Sequence, residues 1–384
     1  MTRILIFLGL LLTSPRILLA HWENQTIVSG GYERQFRIYT PVDYSSLDSF
    51  SLVIGIHGLG SNMYDFSNAM SDFQRIADTA RIIMVYPQGT DNIILGNAWN
   101  AAAGNLGIYP SEQYDDVHFI NDIADFMQAN YPIIKRFTYL FGFSNGGFMV
   151  HRIACEDNGR FHAFASYAGT IGNKVWNCNP ERKVPIIHFH GTKDFNVGYN
   201  INLFGKNVDE TLEIWSGNNE CQGRDVFNVP NTKVDGYFIE HYIYKNCIEP
   251  LEFFKVNGAA HVILQKEIND ISYAEETWKF FLQARTVNQV VSTGLKNRPL
   301  TSLKVYPNPT SDYINITLPG SLNHDSGLEI SIWDYAGKQI TQMITNSSVE
   351  SSFRYHTGQL PNGLYLIKVT DRDQVYGTTF CVSN

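Results

Sequence analysis

The sequence predicts a mostly parallel β-sheet with helices on both faces, followed by a small all-β sandwich. Three observations carry that prediction. From residue 50 onward, continuous apolar runs such as 52–57 and 82–86 alternate with stretches of helical spacing, the pattern of strands buried on both faces and joined by crossover helices. A glycine-flanked serine turn, Gly142-Phe143-Ser144-Asn145-Gly146, separates an apolar strand from a helix that begins at once. Beyond about residue 304 the apolar residues fall into short alternating segments broken by turn residues, which argues a sandwich.

The chain of 384 residues is 44% hydrophobic and 17% charged, a globular composition long enough for two domains. Its formal charge of -8 gives no general attraction to nucleic acid or anionic lipid, so neither is expected as a partner. Residues 1–20 open with Arg3, continue through the apolar block 4–12 and end on the small Ala20. That block is too short to span a bilayer, so the segment reads as a cleaved secretory signal and no stable membrane span is expected. The five cysteines all follow it, with none in a C-x-x-C pair, which suits disulfides in an exported protein. The expected pairs are Cys221 with Cys247 and Cys155 with Cys178, leaving Cys381 over.

Residues 26–39 alternate and read as early antiparallel strands. The 52–57 run is followed by a helix over 63–79, with Phe66, Met70, Phe73 and Ile76 on one face, and by a strand at 82–86 that Pro87 stops. A helix over 115–131 carries Val117, Ile120, Ile123, Ala124 and Met127 on one face, and Asp115 or Asp116 starts it. Then come the 137–141 strand, its helix, strands at 163–168, 184–190 and 251–256, and a closing helix over 273–282. The catalytic domain is therefore bounded at 21–284. Polar, aperiodic residues 285–303 read as a linker, and 304–384 as the sandwich, with strands at 313–318, 328–334, 338–344 and 363–369.

In a parallel sheet, sites form where strands end at their carboxyl sides. The Gly142–Gly146 turn has the form of a nucleophile elbow, in which side chains at 142 and 146 would collide with neighbouring backbone while Ser144 is aimed outward. Serine needs a base to act as a nucleophile. His261 follows the 251–256 strand and Asp194 follows the 184–190 strand, giving the order Ser144, Asp194, His261. Asp115 and Asp116 are rivals for the acid, although both sit at a helix start. Backbone N–H groups of Asn145 and of Leu59, in the turn after the 52–57 strand, are the expected oxyanion donors. Trp99, Tyr114 and Trp215 are the expected walls of an aromatic or sugar-binding cleft. His188 and His190 share a strand face, but no carboxylate or cysteine at ligand spacing accompanies them, so no metal site is expected.

Val53–Gly58, Trp99-Asn100, Asp115–Ile120, Gly142–Gly147, His188–Asp194 and the late His261 together resemble the secreted polyhydroxybutyrate-depolymerase and feruloyl-esterase group of α/β-hydrolases, over about residues 25–283. The resemblance implies the α/β-hydrolase fold, carboxylic-ester hydrolysis without a metal or organic cofactor, and Ser144, Asp194 and His261 as nucleophile, acid and base. The tail resembles the C-terminal sorting domain of type IX secretion, through Tyr306-Pro307-Asn308-Pro309 and Asn362-Gly363-Leu364-Tyr365, and implies the type IX machinery as partner and a secreted or cell-surface protein. The expected function is a serine esterase acting on feruloyl or acetyl esters of plant polysaccharide. Alternatives are a polyhydroxyalkanoate depolymerase with the same triad, or an inactive surface-displayed polysaccharide-binding protein.

Overall fold

The computed structural model describes residues 20–42, 44–45, 49–92, 96–106, 109–175, 177–292, 303–308, 310–317, 328–334, 339–345, 352–361, 363–371 and 374–382. The expected signal segment therefore lies outside the described residues, apart from Ala20.

The elements run in the order β1 His21–Ser29, β2 Tyr32–Thr40, β3 Phe50–Ile56, α1 Met63–Ala69, α2 Ser71–Ala80, β4 Ile82–Pro87, β5 Thr90–Asn92, β6 Gly96–Ala98, α3 Asp116–Asn130, β7 Ile133–Phe143 and α4 Asn145–Glu156. They continue with β8 Ala163–Tyr167, β9 Ile186–Gly191, α5 Val208–Asn218, β10 Arg224–Asn228, β11 Phe238–Tyr244, β12 Leu251–Asn257 and α6 Tyr273–Ser292. The large sheet has the order β1-β2-β4-β3-β7-β8-β9-β12-β11-β10. Its centre, from β4 to β12, is parallel, and an antiparallel pair extends each edge. The largely apolar strands β3 and β4 are buried along their whole length, as strands with helices on both faces must be.

Side chains alternate across the sheet and so divide the core. Leu52, Ile54 and Ile56 of β3 join Ile120 of α3, Met149 of α4 and Leu212 of α5 in one apolar cluster. Val53 points the other way, to Phe66 of α1, Phe73 of α2 and Phe281 of α6. The single helix expected over 63–79 is two, broken at Met70. α6 continues to Ser292, into the segment expected as a linker. No glycine or proline interrupts the sequence before Gly294, so nothing local stops that helix. The buried Arg285 also ties it to the sheet through the hydroxyls of Ser51, at 2.7 Å, and Tyr139. Most of the remaining linker lies outside the described residues.

The tail forms β13 Lys304–Tyr306, β14 Tyr313–Thr317, β15 Leu328–Asp334, β16 Gln339–Thr345, β17 Ser352–His356, β18 Gly363–Asp371 and β19 Gln374–Val382. These make two antiparallel sheets, β13-β14-β17 and β16-β15-β18-β19, which share one core including Ile314, Ile330, Ile367 and Phe380. Cys155 is bonded to Cys178 and Cys221 to Cys247, while Cys381 is free.

Candidate active site

Ser144 sits between β7 and α4 with φ 56 and ψ -119, a backbone conformation that costs a non-glycine residue on the order of 1–3 kcal/mol. Crowding enforces it. A Cβ on Gly142 would stand 2.4 Å from the Gly146 carbonyl oxygen, and one on Gly146 would stand 2.2 Å from that of Ile56. The Ser144 amide donates to Tyr167 O at 2.8 Å and the Phe148 amide to Ser144 O at 3.0 Å, so the turn is held from both sides. The Asn145 amide opens α4, where the first N–H groups of a helix have no partner within it.

Two strands away, β9 ends at Gly191 and Asp194 follows in the next turn with its own side chain buried. One carboxylate oxygen accepts from the amides of Asn196 and Val197, both at 2.9 Å, and the other lies 2.7 Å from His261 Nδ1. A carboxylate only accepts, so Nδ1 carries the proton and Nε2 keeps a lone pair. Desolvation pushes the Asp194 carboxyl up, but the hydrogen bond and charge of His261 and the Val197 amide outweigh it, leaving its pKa lowered. The loops bearing the two residues are laced together by Thr192 N to Val256 O at 3.0 Å, Lys193 N to Ala259 O at 2.9 Å and Gly258 N to Thr192 Oγ1 at 3.0 Å. His190 backs the turn, its Nε2 lying 2.8 Å from Val197 O and 3.5 Å from the Asp194 carboxylate.

Ser144 and His261 line the same cavity, of about 810 Å³. Among the described residues no hydrogen bond joins the Ser144 hydroxyl to the imidazole; such contacts commonly tighten only when substrate seats. The cavity walls include Phe66, Leu106, Phe143, Phe148, Phe204 and Ile263, and Asp65 is the one acidic residue among the described lining residues. Such a space suits a neutral, largely apolar group.

The 57–60 turn completes the arrangement, with Leu59 lining the cavity. His57 is fully buried; its Nδ1 lies 2.7 Å from Gly58 O, and its Nε2 accepts from the Gly89 amide at 2.9 Å. Nδ1 therefore donates and the ring is neutral, and burial lowers its pKa to about 4. The Gly58 carbonyl and the Leu59 N–H share one planar trans peptide and point in opposite directions. Holding the carbonyl thus fixes where the Leu59 N–H points, a role for His57 that its place after an apolar strand only hinted at.

The three aromatic residues expected to wall the cleft do not line it. Trp99 is wholly buried and donates its Nε1–H to His57 O at 2.9 Å. Trp215 is wholly buried on α5 and donates to His151 Nδ1 at 3.0 Å. Tyr114 packs edge-on against Tyr32, with ring centroids 4.9 Å apart. For the two tryptophans the apolar ring is worth more in the core than at a wet rim, and the indole N–H finds its partner there. The apolar residues that do line the cavity, among them Phe66, Leu106, Phe148, Phe204 and Ile263, come from separate helices and loops and carry no motif. Of the rival acids, Asp115 caps α3 by accepting from the His118 amide at 3.0 Å, and Asp116 is paired with Arg34 at 2.7 Å.

Comparison with known proteins adds to this geometry. The family profile described as "Putative esterase" matches residues 28–218, and that of the secretion system C-terminal sorting domain matches residues 304–383. The chain is 24% identical over 266 residues to "Probable feruloyl esterase C" of Aspergillus niger, covering 68% of this chain and 90% of that protein. It is also 24% identical over 267 residues to a bifunctional acetylxylan esterase/xylanase of Neocallimastix patriciarum, covering 69% of this chain but only 35% of that longer protein. An acetyl xylan esterase from Aspergillus awamori shares the fold, with a TM-score of 0.51 at 15% identity over 67% of this chain and 98% of that one.

Proposed function

We propose, on the match of residues 28–218 to the putative-esterase family profile and of residues 304–383 to that of a secretion-system C-terminal sorting domain, a secreted serine esterase that cleaves feruloyl or acetyl esters on plant polysaccharide through an acyl-enzyme. The chain is a carboxylic ester hydrolase with the α/β-hydrolase fold, secreted or held at the cell surface. Its mechanism, its acyl group and its passage through the type IX machinery are our reading.

Ser144 Oγ attacks the ester carbonyl while His261 Nε2 takes its proton, and Asp194 stabilises the imidazolium that results. The negative oxygen of the tetrahedral intermediate accepts from the amides of Leu59 and Asn145. Collapse expels the alcohol oxygen, which receives the proton from His261 and leaves an acyl group on Ser144. Water, deprotonated by the same imidazole, repeats the attack, and the carboxylic acid departs with Ser144 restored. The apolar walls accept an aromatic or short acyl group, and the polar rim of Ser61, Asn105 and Asn196 suits the sugar side.

One observation carries this reading: the buried Asp194–His261 pair opens on the cavity that the strained Ser144 elbow also lines. Turnover of methyl ferulate, acetylated xylan and 4-nitrophenyl acetate by the wild type and Ser144→Ala tests it. Loss of turnover by about 10⁶-fold is expected from removing a nucleophile, together with loss of fluorophosphonate labelling. Equal turnover in both proteins would overturn the assignment.

A further inference from the structure

Resting on the serine-esterase reading, we propose that Trp99 and the side chain of Asn145 form a strut that holds the two oxyanion donors, the Leu59 and Asn145 amides, in register. Two loops from different strands supply those amides, the 57–60 turn after β3 and the elbow after β7. An oxyanion hole works only if both donors face one point before charge develops, so the loops must be tied to each other as well as to the sheet.

Trp99 makes that tie. Its amide donates to Asn145 Oδ1 at 2.8 Å, and its carbonyl accepts from Asn145 Nδ2 at 3.3 Å. The Asn145 side chain thus pairs with the Trp99 backbone through two hydrogen bonds and fixes the elbow residue to the 99–100 segment. The Trp99 ring then reaches the other loop: Nε1–H donates to His57 O at 2.9 Å, and the ring packs on the His57 imidazole at 4.9 Å between centroids. One residue therefore contacts the residue that contributes one donor and the residue whose imidazole orients the other.

The strut is itself anchored. The Asn100 amide donates to Asp116 at 2.7 Å, and that carboxylate is held by Arg34 at 2.7 Å with both side chains buried. Arg152 donates to Asn100 O, and the Asn100 side chain donates to Tyr114 O at 2.8 Å. Trp99 stacks on Phe119 with centroids 6.4 Å apart. Strand β2 and helices α3 and α4 thus brace the segment from behind. Both polar groups of the Asn145 side chain and the one polar atom of the indole are spent on these bonds, which packing alone does not require.

Trp99→Phe keeps the apolar ring and deletes the N–H; Asn145→Ala deletes the pairing but keeps the backbone amide. Each is expected to lower kcat by about 10- to 100-fold, less than the 10²–10³ for outright loss of a donor, with KM changed by less than threefold. Affinity for an aryl trifluoromethyl ketone, which Ser144 converts to a hemiketal oxyanion, should fall by the same factor, while affinity for ferulate stays level. The double variant should lose less than the product of the two. Phe281→Leu, which loosens the core on the other side of the sheet, where Phe281 stacks on Tyr139, serves as the control: it lowers Tm and leaves kcat. Wild-type kcat and ketone affinity in either single variant, or losses that follow Tm in all three, would overturn the strut. Should Trp99→Phe not fold, Asn145→Ala alone decides. Turnover retained by Ser144→Ala would instead sink the esterase reading; a dead Ser144→Ala beside fully active Trp99→Phe and Asn145→Ala would sink the strut only.

Discussion

Replacing Gly146 with alanine puts one methyl group where the elbow and β3 meet. The new Cβ would lie 2.2 Å from Ile56 O and 2.7 Å from His57 O, against an ordinary limit of 3.4 Å. The two backbones must therefore separate by about 1.2 Å, because neither obstacle is a flexible side chain. Overpacking of this kind costs about 1–3 kcal/mol, which lowers Tm without unfolding a domain of this size. The functional loss should be larger. The separation opens along the line that joins Ser144 to the 57–60 turn, and a misplacement near 1 Å in a positioned site can cost about 10²-fold. Hydrolysis of 4-nitrophenyl acetate gives kcat, and the rate of fluorophosphonate labelling reports the Ser144 nucleophile separately. Expected is a fall of about 10²-fold in both, with a cooperative melt. A folded Gly146→Ala protein with wild-type kcat would show that the elbow need not sit this close to the turn, and would refute the reasoning from crowding.

Asp194→Asn retains an oxygen for the Asn196 and Val197 amides but presents an NH₂ to His261 Nδ1, forcing the wrong tautomer; kcat should fall by about 10⁴-fold with Tm little changed, and full turnover would remove Asp194 from the mechanism. Acid should destabilise the fold through buried neutral histidines: burial lowers the pKa of His57 to about 4 and of His151 to about 3, whereas both groups titrate near 6.5 when unfolded. Between those values the unfolded chain binds more protons, so stability is level above pH ~6.5 and falls as pH drops toward ~4, by up to about 3 kcal/mol for His57 alone. Urea unfolding at pH 7.5, 6 and 5 checks this, and a stability independent of pH across that range would contradict it.

Much of the fold was legible because burial on both faces leaves an unmixed apolar run in the sequence: residues 52–57 and 82–86 fall on β3 and β4. The elbow was legible because steric exclusion leaves glycine as the residue that fits at 142 and 146. What escaped was set by partners far along the chain. Trp99 and Trp215 read as cleft residues because loops and insertions commonly line sites, yet each indole N–H is satisfied in the core by a residue 42 or 64 positions away. The break at Met70 has no glycine or proline in the sequence to announce it, and α6 runs on to Ser292 because no such residue stops it before Gly294. In the tail, strands Lys304–Tyr306, Ser352–His356 and Gln374–Val382 went unassigned, since short or mixed segments carry little alternation.

The clustering of histidines near the site raises the question of why His261 would serve as base and its neighbours would not. A base needs an accessible lone pair and a partner that stabilises its cation. His57 spends both nitrogens, donating to Gly58 O and accepting from the Gly89 amide. His190 Nε2 bonds to Val197 O, which accepts only, so its Nδ1 is the acceptor for His188 Nε2 at 3.2 Å. Both rings are fully buried, and desolvation lowers the pKa of each. They are fixed as neutral struts by the same burial that would make their cations costly. His261 differs on each count: its side chain keeps 13% exposure, its Nδ1–H is bound to a carboxylate, and its remaining nitrogen is left for the cavity side. Selection of the base thus follows from burial and hydrogen-bond satisfaction: converting His57 into a working base would require solvent access and a carboxylate partner, and converting His190, whose Nε2 already lies 3.5 Å from the Asp194 carboxylate, would require solvent access and a free lone pair.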